Sequence, residues 1–387
     1  MRYKVNPKNG DNLSILGYGC MRLPRNEKEA VRLLRRAIDS GVNYLDTAYI
    51  YMGNEALVGK ALEGGYRERV KLATKMPPYF VGKYEDFDKI FNAQLRNLKT
   101  DYIDYYLIHM LTDVKVWERL KDIGLMRWFE EKRAKGQICN LGFSYHGGGE
   151  SFVELLDAYD WDFCMIQYNF YDEKNQAGRN GLEYAARKGL PVMVMEPLRG
   201  GKLVNVSKQV NQVWENAYVK RSPAEWALRW VWNQPEVTLL LSGMNTMDTL
   251  NENLRVADAA EPESFTEGDF ALFEEARALI AASTKVPCTA CGYCMPCPRG
   301  VDIPTCFHAL NQIPIEGGTL SWTKYLMLTS MTAETTCASR CVKCGACEAH
   351  CPQGIAIREN LDIVKRTFEG PLYGPARFII KKFMRFN

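Results

Sequence analysis

The sequence predicts an α/β protein, a (β/α)8 TIM barrel followed by a small, mostly α-helical domain rich in cysteine. Two observations predict this organisation. Short apolar runs rich in β-branched residues alternate with longer segments of helical period through the first three quarters of the chain. Only three cysteines precede residue 285, whereas ten follow it. We therefore expect the barrel to occupy residues 1–283 and the second domain residues 284–387.

Eight apolar runs are the predicted strands. Each is followed by a helical segment, and eight such units in about 260 residues favour a closed barrel over a doubly wound open sheet, which would show the same alternation. The predicted strands cover residues 16–20, 43–47, 70–75, 103–109, 138–144, 163–168, 191–196 and 237–242. The predicted helices include residues 27–40, 54–63, 87–98, 116–135, 178–188, 223–233, 246–257 and 269–282.

Eight cysteines near the C-terminus form two runs, each followed at once by a proline. The second run has the spacing C-x2-C-x2-C-x3-C-P, which ligates 4Fe–4S clusters in bacterial ferredoxins, and the first is one residue shorter before its last cysteine. Two such runs predict two 4Fe–4S clusters. The predicted ligands are Cys288, Cys291, Cys294 and Cys297 before Pro298, and Cys341, Cys344, Cys347 and Cys351 before Pro352.

Three thiolates spaced two residues apart can wrap one cubane, and the C-P cysteine of such a run usually ligates the other cluster. By that rule Cys351 would complete the cluster of the first run, and Cys297 that of the second. Zinc typically takes two C-x2-C pairs, which leaves the triple runs and both prolines unexplained. Disulfides need an oxidising compartment, and we expect no signal peptide in residues 1–12.

Composition limits the other function classes. A formal net charge of +3 gives no indication of nucleic-acid binding. No apolar run approaches the roughly 20 residues that a membrane helix needs, so we expect no transmembrane segment and a cytoplasmic protein. Cysteines outside the two runs are expected to be small buried apolar residues rather than ligands. These are Cys20, Cys139, Cys164, Cys306 and Cys337.

Polar residues stand at the ends of three successive predicted strands. Asp46, Lys75 and His109 end the second, third and fourth runs, and Tyr51 follows Asp46 by five positions. Singly, these residues could form a structural ion pair, a surface aromatic or a core histidine. Chemistry in a (β/α)8 barrel lies at the C-terminal ends of the strands. The four together therefore predict a catalytic site there.

The motifs D-T-A-x-x-Y at 46–51 and A-T-K at 73–75, with the strand-end His109, resemble those of the aldo-keto reductases over about residues 1–280. The whole chain resembles the subgroup of that family with a C-terminal ferredoxin domain, here of the α-helical type. The resemblance implies that Tyr51 protonates a small carbonyl substrate. It also implies that Lys75 lowers the pKa of Tyr51, Asp46 holds Lys75, and His109 orients the carbonyl. The reverse reaction would oxidise an alcohol.

The resemblance also implies a site for NADP(H) or NAD(H). Ser144 and Gln167 would bind the carboxamide, although Tyr145 replaces the family's asparagine and Met195 its stacking aromatic. No cation stands where the family often grips the 2′-phosphate, so we expect no strict preference for NADPH. The remaining implied cofactor residues are Leu198, Gly200, Ser242, Met244, Glu252 and Asn253.

Two glycine-rich segments near this site allow more than one interpretation. Residues 199–202 could meet a pyrophosphate, because glycines allow close backbone approach and cations oppose phosphate charge. They could equally form a turn with solvated charges. Residues 147–149 are typical of a mobile turn first and of an anion-binding nest second.

Hydride carries two electrons, whereas a 4Fe–4S cluster passes one, and this difference leaves three hypotheses. The chain could be an NAD(P)-linked reductase with redox-active clusters. It could be a ferredoxin-linked reductase in which FMN accepts single electrons from the clusters and passes two to the substrate or to NAD(P). It could also be a non-catalytic electron-transfer subunit. The motifs favour the first, with ferredoxin or another electron carrier as a partner. The basic stretch 375–386 is expected to form a terminal helix packed on its own domain, with contact to a membrane surface or to an acidic partner such as ferredoxin as the alternative.

Overall fold

A computed structural model of the chain describes residues 1–282, 285–288, 290, 292, 294–330, 334–351 and 354–384. Contacts divide the chain into two compact units. The first comprises Met1–Val204 with Val219–Gly268, and the second Asn205–Tyr218 with Asp269–Asn387. The second unit thus takes in residues ahead of the expected domain boundary at 283, which stays a prediction. Predicted positions outside the described residues are Cys291, Pro352, the domain boundary at 283–284 and residues 385–387.

Eight parallel strands close into a barrel, which confirms the predicted fold class. The barrel runs in chain order, and its last strand pairs back onto its first, with Leu240 opposite Leu16. These strands are apolar along most of their length because helices cover the outside of the barrel. The barrel strands are β3 (Leu16–Gly19), β4 (Tyr44–Asp46), β5 (Lys71–Met76), β6 (Ile103–Leu111), β7 (Ile138–Tyr145), β8 (Phe163–Gln167), β9 (Val192–Met195) and β10 (Val237–Ser242).

A hairpin that the sequence pattern did not indicate precedes the barrel. Its strands are β1 (Tyr3–Val5) and β2 (Asn12–Ser14), paired antiparallel. Leu13 of β2 packs among the residues that fill the barrel interior. The hydroxyl of Tyr105, near the start of β6, donates to Asp11 Oδ2 at 2.8 Å. The hairpin therefore covers the N-terminal end of the barrel. The C-terminal ends of the strands lie at the opposite end, which we call the mouth.

The helices follow the predicted alternation, with one difference inside the predicted helix 116–135. Gly124 adopts a φ of 106°, a left-handed conformation that ends one helix and starts another. The helices are α1 (Glu27–Asp39), α2 (Asn54–Ala61), α3 (Glu85–Leu98), α4 (Val114–Ile123), α5 (Leu125–Ala134), α6 (Gly149–Asp157), α7 (Gly178–Arg187), α8 (Lys208–Asn216), α9 (Pro223–Trp232), α10 (Met247–Asp258), α11 (Glu267–Ala282), α12 (Ile303–Glu316), α13 (Gly318–Ser330), α14 (Ala346–Ala349), α15 (Ile357–Phe368) and α16 (Tyr373–Met384). Short 3-10 turns cover Cys20–Arg22, Arg67–Arg69, Pro78–Phe80, Arg199–Gly201 and Ala338–Arg340.

The second unit is helical, as predicted, and has a core of its own. Phe307, Leu310 and Leu361 are among its buried residues, and several cysteines of the two runs pack against them. Ala376 and Ile380 of α16 also pack on this core, so the terminal basic helix lies on its own domain. None of the helices in the described part of the chain is both long and apolar enough to cross a membrane.

Candidate functional site

Four of the predicted site residues meet at the mouth of the barrel. Asp46 ends β4, and Lys75 and His109 lie near the ends of β5 and β6. These strands are neighbours in the barrel, so their ends come together. Tyr51 lies in the loop between β4 and α2, and this loop brings its ring over the other three.

Lys75 is the centre of this group. Its Nζ donates to Asp46 Oδ2 at 2.6 Å and to the Thr47 carbonyl at 2.7 Å. The side chains of Lys75 and Asp46 are 1% and 5% exposed, so little water screens the pair. Burial alone would lower the pKa of Lys75, but the charges of Asp46 and Tyr51 outweigh burial and raise it. Lys75 is therefore a fixed ammonium.

Tyr51 lies between this ammonium and a histidine. Lys75 Nζ is 4.9 Å from the centroid of the Tyr51 ring. The rings of Tyr51 and His109 meet edge to face, with centroids 5.8 Å apart. Burial raises the pKa of Tyr51, while Lys75 acts to lower it and Asp46 to raise it further. The ammonium thus acts in the implied direction, but burial keeps the phenol protonated and able to donate.

His109 is buried and neutral. Burial lowers its pKa well below the usual value of 6.5, and the positive charges of Lys75 and His146 lower it further. Its Nδ1 has no hydrogen-bond partner among the described residues. A neutral imidazole with an open nitrogen beside Tyr51 suits the role of orienting a polar ligand.

We expect His109 to remain neutral at about pH 6, where an ordinary exposed histidine is mostly protonated. Imidazole 15N shifts measure this directly in protein labelled at its four histidines. The urea-unfolded protein is the control, because there all four should titrate near the usual value. A folded-state titration of His109 at that same value would contradict the burial argument.

The two predicted carboxamide ligands end neighbouring strands. The amide of Met110 donates to Ser144 Oγ at 2.9 Å. Gln167 Nε2 donates to Asp172 Oδ2 at 3.0 Å, and Gln167 Oε1 accepts from Gln176 at 3.3 Å. Asp172 and Gln176 had no signal in the sequence, because they follow β8 in an irregular loop. They fix the orientation of the Gln167 amide.

Asp172 also forms an ion pair with Arg199. This contact bears on whether residues 199–202 form a turn with solvated charges or a pyrophosphate-binding turn. Arg199 Nη1 lies 3.2 Å from Asp172 Oδ2, and the Arg199 side chain is buried. The interpretation of Arg199 as a solvated charge is therefore wrong, since a buried carboxylate compensates it. Gly200 has a φ of 66°, and a Cβ there would lie 2.7 Å from Arg22 Nη1. Only glycine lets the Leu198–Gly201 turn pass so close to that cation.

The remaining implied cofactor residues lie around β10 and α10. Ser242 Oγ accepts from Asn253 Nδ2 at 2.7 Å. The Met244 carbonyl accepts from the Tyr18 hydroxyl. Glu252 Oε1 accepts from the hydroxyl of Ser222, the residue that caps α9, at 2.5 Å. The structure thus brings Ser242, Met244 and Asn253 together, and fixes Glu252 against the neighbouring helix.

Tyr145, which replaces the family's asparagine, has a structural role. Its ring is buried against Phe143 and Phe152. Its hydroxyl donates to the Gly148 carbonyl, which holds the glycine segment at the end of β7. Helix α6 starts at Gly149, so this segment is the turn that enters α6, as the first interpretation expected, and its mobility stays a prediction. The side chain that would face the carboxamide in the family faces the protein core here.

We expect Gly147→Ala to destabilise the protein by about 1–3 kcal/mol, because an added Cβ would lie 1.8 Å from the Thr112 carbonyl oxygen. Urea unfolding monitored by far-UV circular dichroism measures the change. Gly148→Ala is the matched control, since nothing lies within 4 Å of its added Cβ. That variant should stay within about 0.5 kcal/mol of the parent. Equal effects of the two changes would contradict the close approach.

The two cysteine runs share backbone features at matching described positions. We call residues 288–297 the first loop and residues 341–351 the second loop. The Ala290 amide donates to Cys288 Sγ at 3.4 Å, and the Lys343 amide donates to Cys341 Sγ at the same distance. Ala290 and Lys343 adopt a φ of 54° and 60°, and each loop has a glycine two residues later with a φ of 79°.

A small cavity at the second loop is lined by cysteine residues from both loops. Cys341, Cys344 and Cys347 line it, and so does Cys297, the last cysteine of the first loop. Across the described residues, no three His, Cys, Asp or Glu side chains converge as ligands of a single metal ion. Amide donors to sulfur, four half-exposed or exposed thiols and an open cavity fit a bound inorganic cluster.

The cysteines outside the two loops are buried, with one exception. Cys20, Cys164, Cys306 and Cys337 are fully buried, as expected. Cys139 is exposed, so that prediction is wrong for it. Cys139 is the second residue of β7, and strand alternation turns it away from the face on which its buried neighbours lie.

Comparison with known proteins defines the class to which this fold and site belong. Residues 15–276 match the profile of the Aldo/keto reductase family, and residues 287–356 match that of a 4Fe-4S dicluster domain. The chain is an oxidoreductase. It belongs to the aldo/keto reductase family and carries a C-terminal 4Fe–4S domain, as the sequence motifs indicated.

Named relatives cover the barrel. The uncharacterized oxidoreductase YqkF of Bacillus subtilis is 25% identical over 64% of this chain and 88% of its own length. The methylglyoxal reductase YeaE of Escherichia coli is 30% identical over 60% of this chain and 81% of its own.

Solved structures also match. The holo form of an aldo-keto reductase from Bacillus halodurans has a TM-score of 0.61 at 25% identity, covering 71% of this chain and 96% of that one. An aldo-keto reductase from Klebsiella pneumoniae, solved in complex with NADPH, has a TM-score of 0.59 at 24% identity, covering 71% and 94%. At this identity, the similarity to the Klebsiella pneumoniae enzyme concerns the fold alone.

Proposed function

We propose that this chain reduces a small carbonyl compound with NADPH or NADH, with Tyr51 as the general acid. One observation carries the proposal: the buried Lys75 ammonium lies between the Asp46 carboxylate and the Tyr51 ring. A phenol beside a fixed positive charge can give up its proton, because the tyrosinate that forms is stabilised at once.

The residues at the mouth divide the work of the proposed reaction. A nicotinamide cofactor, when bound, would supply hydride for the carbonyl carbon. Tyr51 gives its hydroxyl proton to the carbonyl oxygen, so the carbonyl becomes an alcohol. Lys75 stabilises the resulting tyrosinate, and Asp46 keeps Lys75 in place. Neutral His109 donates a hydrogen bond to the carbonyl oxygen and orients it.

The cofactor would lie across the strand ends from β7 to β10. Ser144 and Gln167 would hold the carboxamide, with Asp172 fixing the Gln167 side chain. The turn at Leu198 and Gly200 would face the pyrophosphate. Ser242, Met244, Glu252 and Asn253 would line the adenosine end. The segment that resembles the family's 2′-phosphate-binding segment has no cation at the matching positions, which supports use of both NADPH and NADH.

We further propose that the eight cysteines of the two loops hold two 4Fe–4S clusters, with the last cysteine of each loop exchanged. The shared cavity of Cys297 with Cys341, Cys344 and Cys347 supports this exchange. The clusters carry single electrons, which suits ferredoxin or a similar carrier as the partner. Many free thiols favour a reducing compartment, and we propose the cytoplasm.

Anaerobic purification followed by two measurements tests this function. NADPH and NADH oxidation should depend on added aldehyde, and methylglyoxal is a suitable first substrate because a relative is named for reducing it. The visible spectrum should show the broad absorption of iron–sulfur clusters without the structured bands of a flavin. Bound FMN with no nicotinamide-dependent turnover would contradict the proposal and favour the ferredoxin-linked flavin reductase.

A further inference from the structure

The likeness of the two cysteine loops extends into the helices that follow them. Three residues after the last cysteine of each loop stands a glycine with positive φ, Gly300 at 70° and Gly354 at 59°. Three residues further on, α12 begins at Ile303 and α15 at Ile357. Positions on either side of the one-residue difference in loop length can therefore be paired between a first half (residues 288–316) and a second half (residues 341–368), and differences between paired positions are meaningful.

The halves differ in charge beside the cluster sites. Arg358, the second residue of α15, stands where the first half has Pro304. Glu348 stands where the first half has Met295, and the amides of both residues donate to the glycine carbonyl three residues back. An ion pair in the second half thus replaces two uncharged residues in the first.

Arg358 belongs to the wall of the cysteine-lined cavity. It lines that cavity together with Cys297, Cys344 and Cys347. A Cβ added to Gly345 would lie 3.5 Å from the guanidinium, so Arg358 packs against the backbone between two of the cysteines.

Glu348 holds the guanidinium in that place. Its Oε1 accepts from the Arg358 amide at 2.8 Å, and its Oε2 accepts from Arg358 Nε at 2.8 Å. Arg358 Nη2 lies 2.6 Å from the same Oε2. Two guanidinium nitrogens on one carboxylate oxygen, with the backbone amide on the other oxygen, restrict the Arg358 side chain to one orientation. Glu348 does not itself line the cavity, so the positive end of the pair is the nearer one.

A positive charge beside an iron–sulfur cluster favours the reduced form, which carries one more negative charge. We propose that Arg358 raises the reduction potential of the cluster held by Cys341, Cys344, Cys347 and Cys297 above that of the other cluster. The two clusters then accept electrons in a fixed order, the second-loop cluster first. This inference rests on the proposed function, since both clusters must be bound.

Reduction of the full-length, cluster-loaded protein with dithionite at a series of measured potentials, with redox mediators present and followed by electron paramagnetic resonance, tests the proposal. Each cluster takes one electron from the titrant and gives its own signal. Arg358→Gln should lower the reduced-to-oxidised ratio of the first-appearing signal about fivefold at a given potential, roughly 40 mV for one electron. The later signal should stay in place. Glu348→Gln should move the first-appearing signal in the opposite direction.

Arg366→Gln is the matched control. It removes the same charge from the same helix, at an exposed position two turns further on, and should move neither signal. A shift of the later signal, an equal shift of both, or no shift in either Arg358 or Glu348 variant would overturn the inference. In each of those outcomes the parent protein still shows two signals, so the two-cluster proposal is not affected. A parent with a single signal and about four irons would instead contradict the two-cluster proposal.

Discussion

Tyr51→Phe is expected to lower kcat for aldehyde reduction by roughly a thousandfold, because the proposed general acid is removed and His109 only orients the carbonyl. The phenylalanine ring fills the same space beside Lys75 and His109, so stability and cofactor binding should change little. Stopped-flow measurement of NADPH oxidation under saturating aldehyde reports kcat separately from KM. The loss should fall on kcat, since the proton moves only in the transition state.

Tyr218→Phe is the control for this change, because Tyr218 is fully exposed and is not one of the site residues. It should leave kcat within a factor of two or so of the parent. Retention of more than about a tenth of the activity by Tyr51→Phe would refute the role given to the phenol.

Cys344→Ser and Cys297→Ser are expected to remove the same cluster, although these residues belong to different loops. Each change deletes one of the four thiols that line the second-loop cavity. Iron should fall from about eight to about four atoms per chain, and the same paramagnetic signal should vanish in both variants. Cys351→Ser should remove the other signal instead. Ligand exchange between the loops predicts this pattern, and separate loops would not.

Cys139→Ser is the control for the cysteine series. Its thiol is exposed and lies on a barrel strand outside both loops, so iron content should stay unchanged. If Cys297→Ser and Cys351→Ser each removed the signal of their own loop, the clusters would be present but the exchange would be wrong. If no cysteine variant lost iron, the cluster assignment itself would fail.

The sequence predicted the barrel well because its strands depend on local pattern. Each of the eight predicted runs overlaps a barrel strand, since buried parallel strands need continuous apolar residues. Asp46, Lys75 and His109 were also predictable, because strand ends of a barrel meet at one edge and the motifs fix where each strand stops. The division at Gly124 was missed because the flanking segments share one helical period, and a glycine's φ is not visible in sequence.

Other parts of the site depend on contacts between distant residues. Asp172 meets Arg199 and Gln167 only because β8 and β9 lie side by side, and no local signal marks such a carboxylate. The structural role of Tyr145 could not be predicted either, since it arises from the way the glycine segment turns back under its hydroxyl.

The hairpin of β1 and β2 determines the route by which ligands reach and leave the barrel site. Because Leu13 and the bonded Tyr105 cover the N-terminal end, every ligand of the Tyr51 site has to enter and leave by the mouth. Because the site has one opening, its ligands bind one after another, and the ligand that binds deepest is released last. The order of binding and release at the mouth therefore governs turnover.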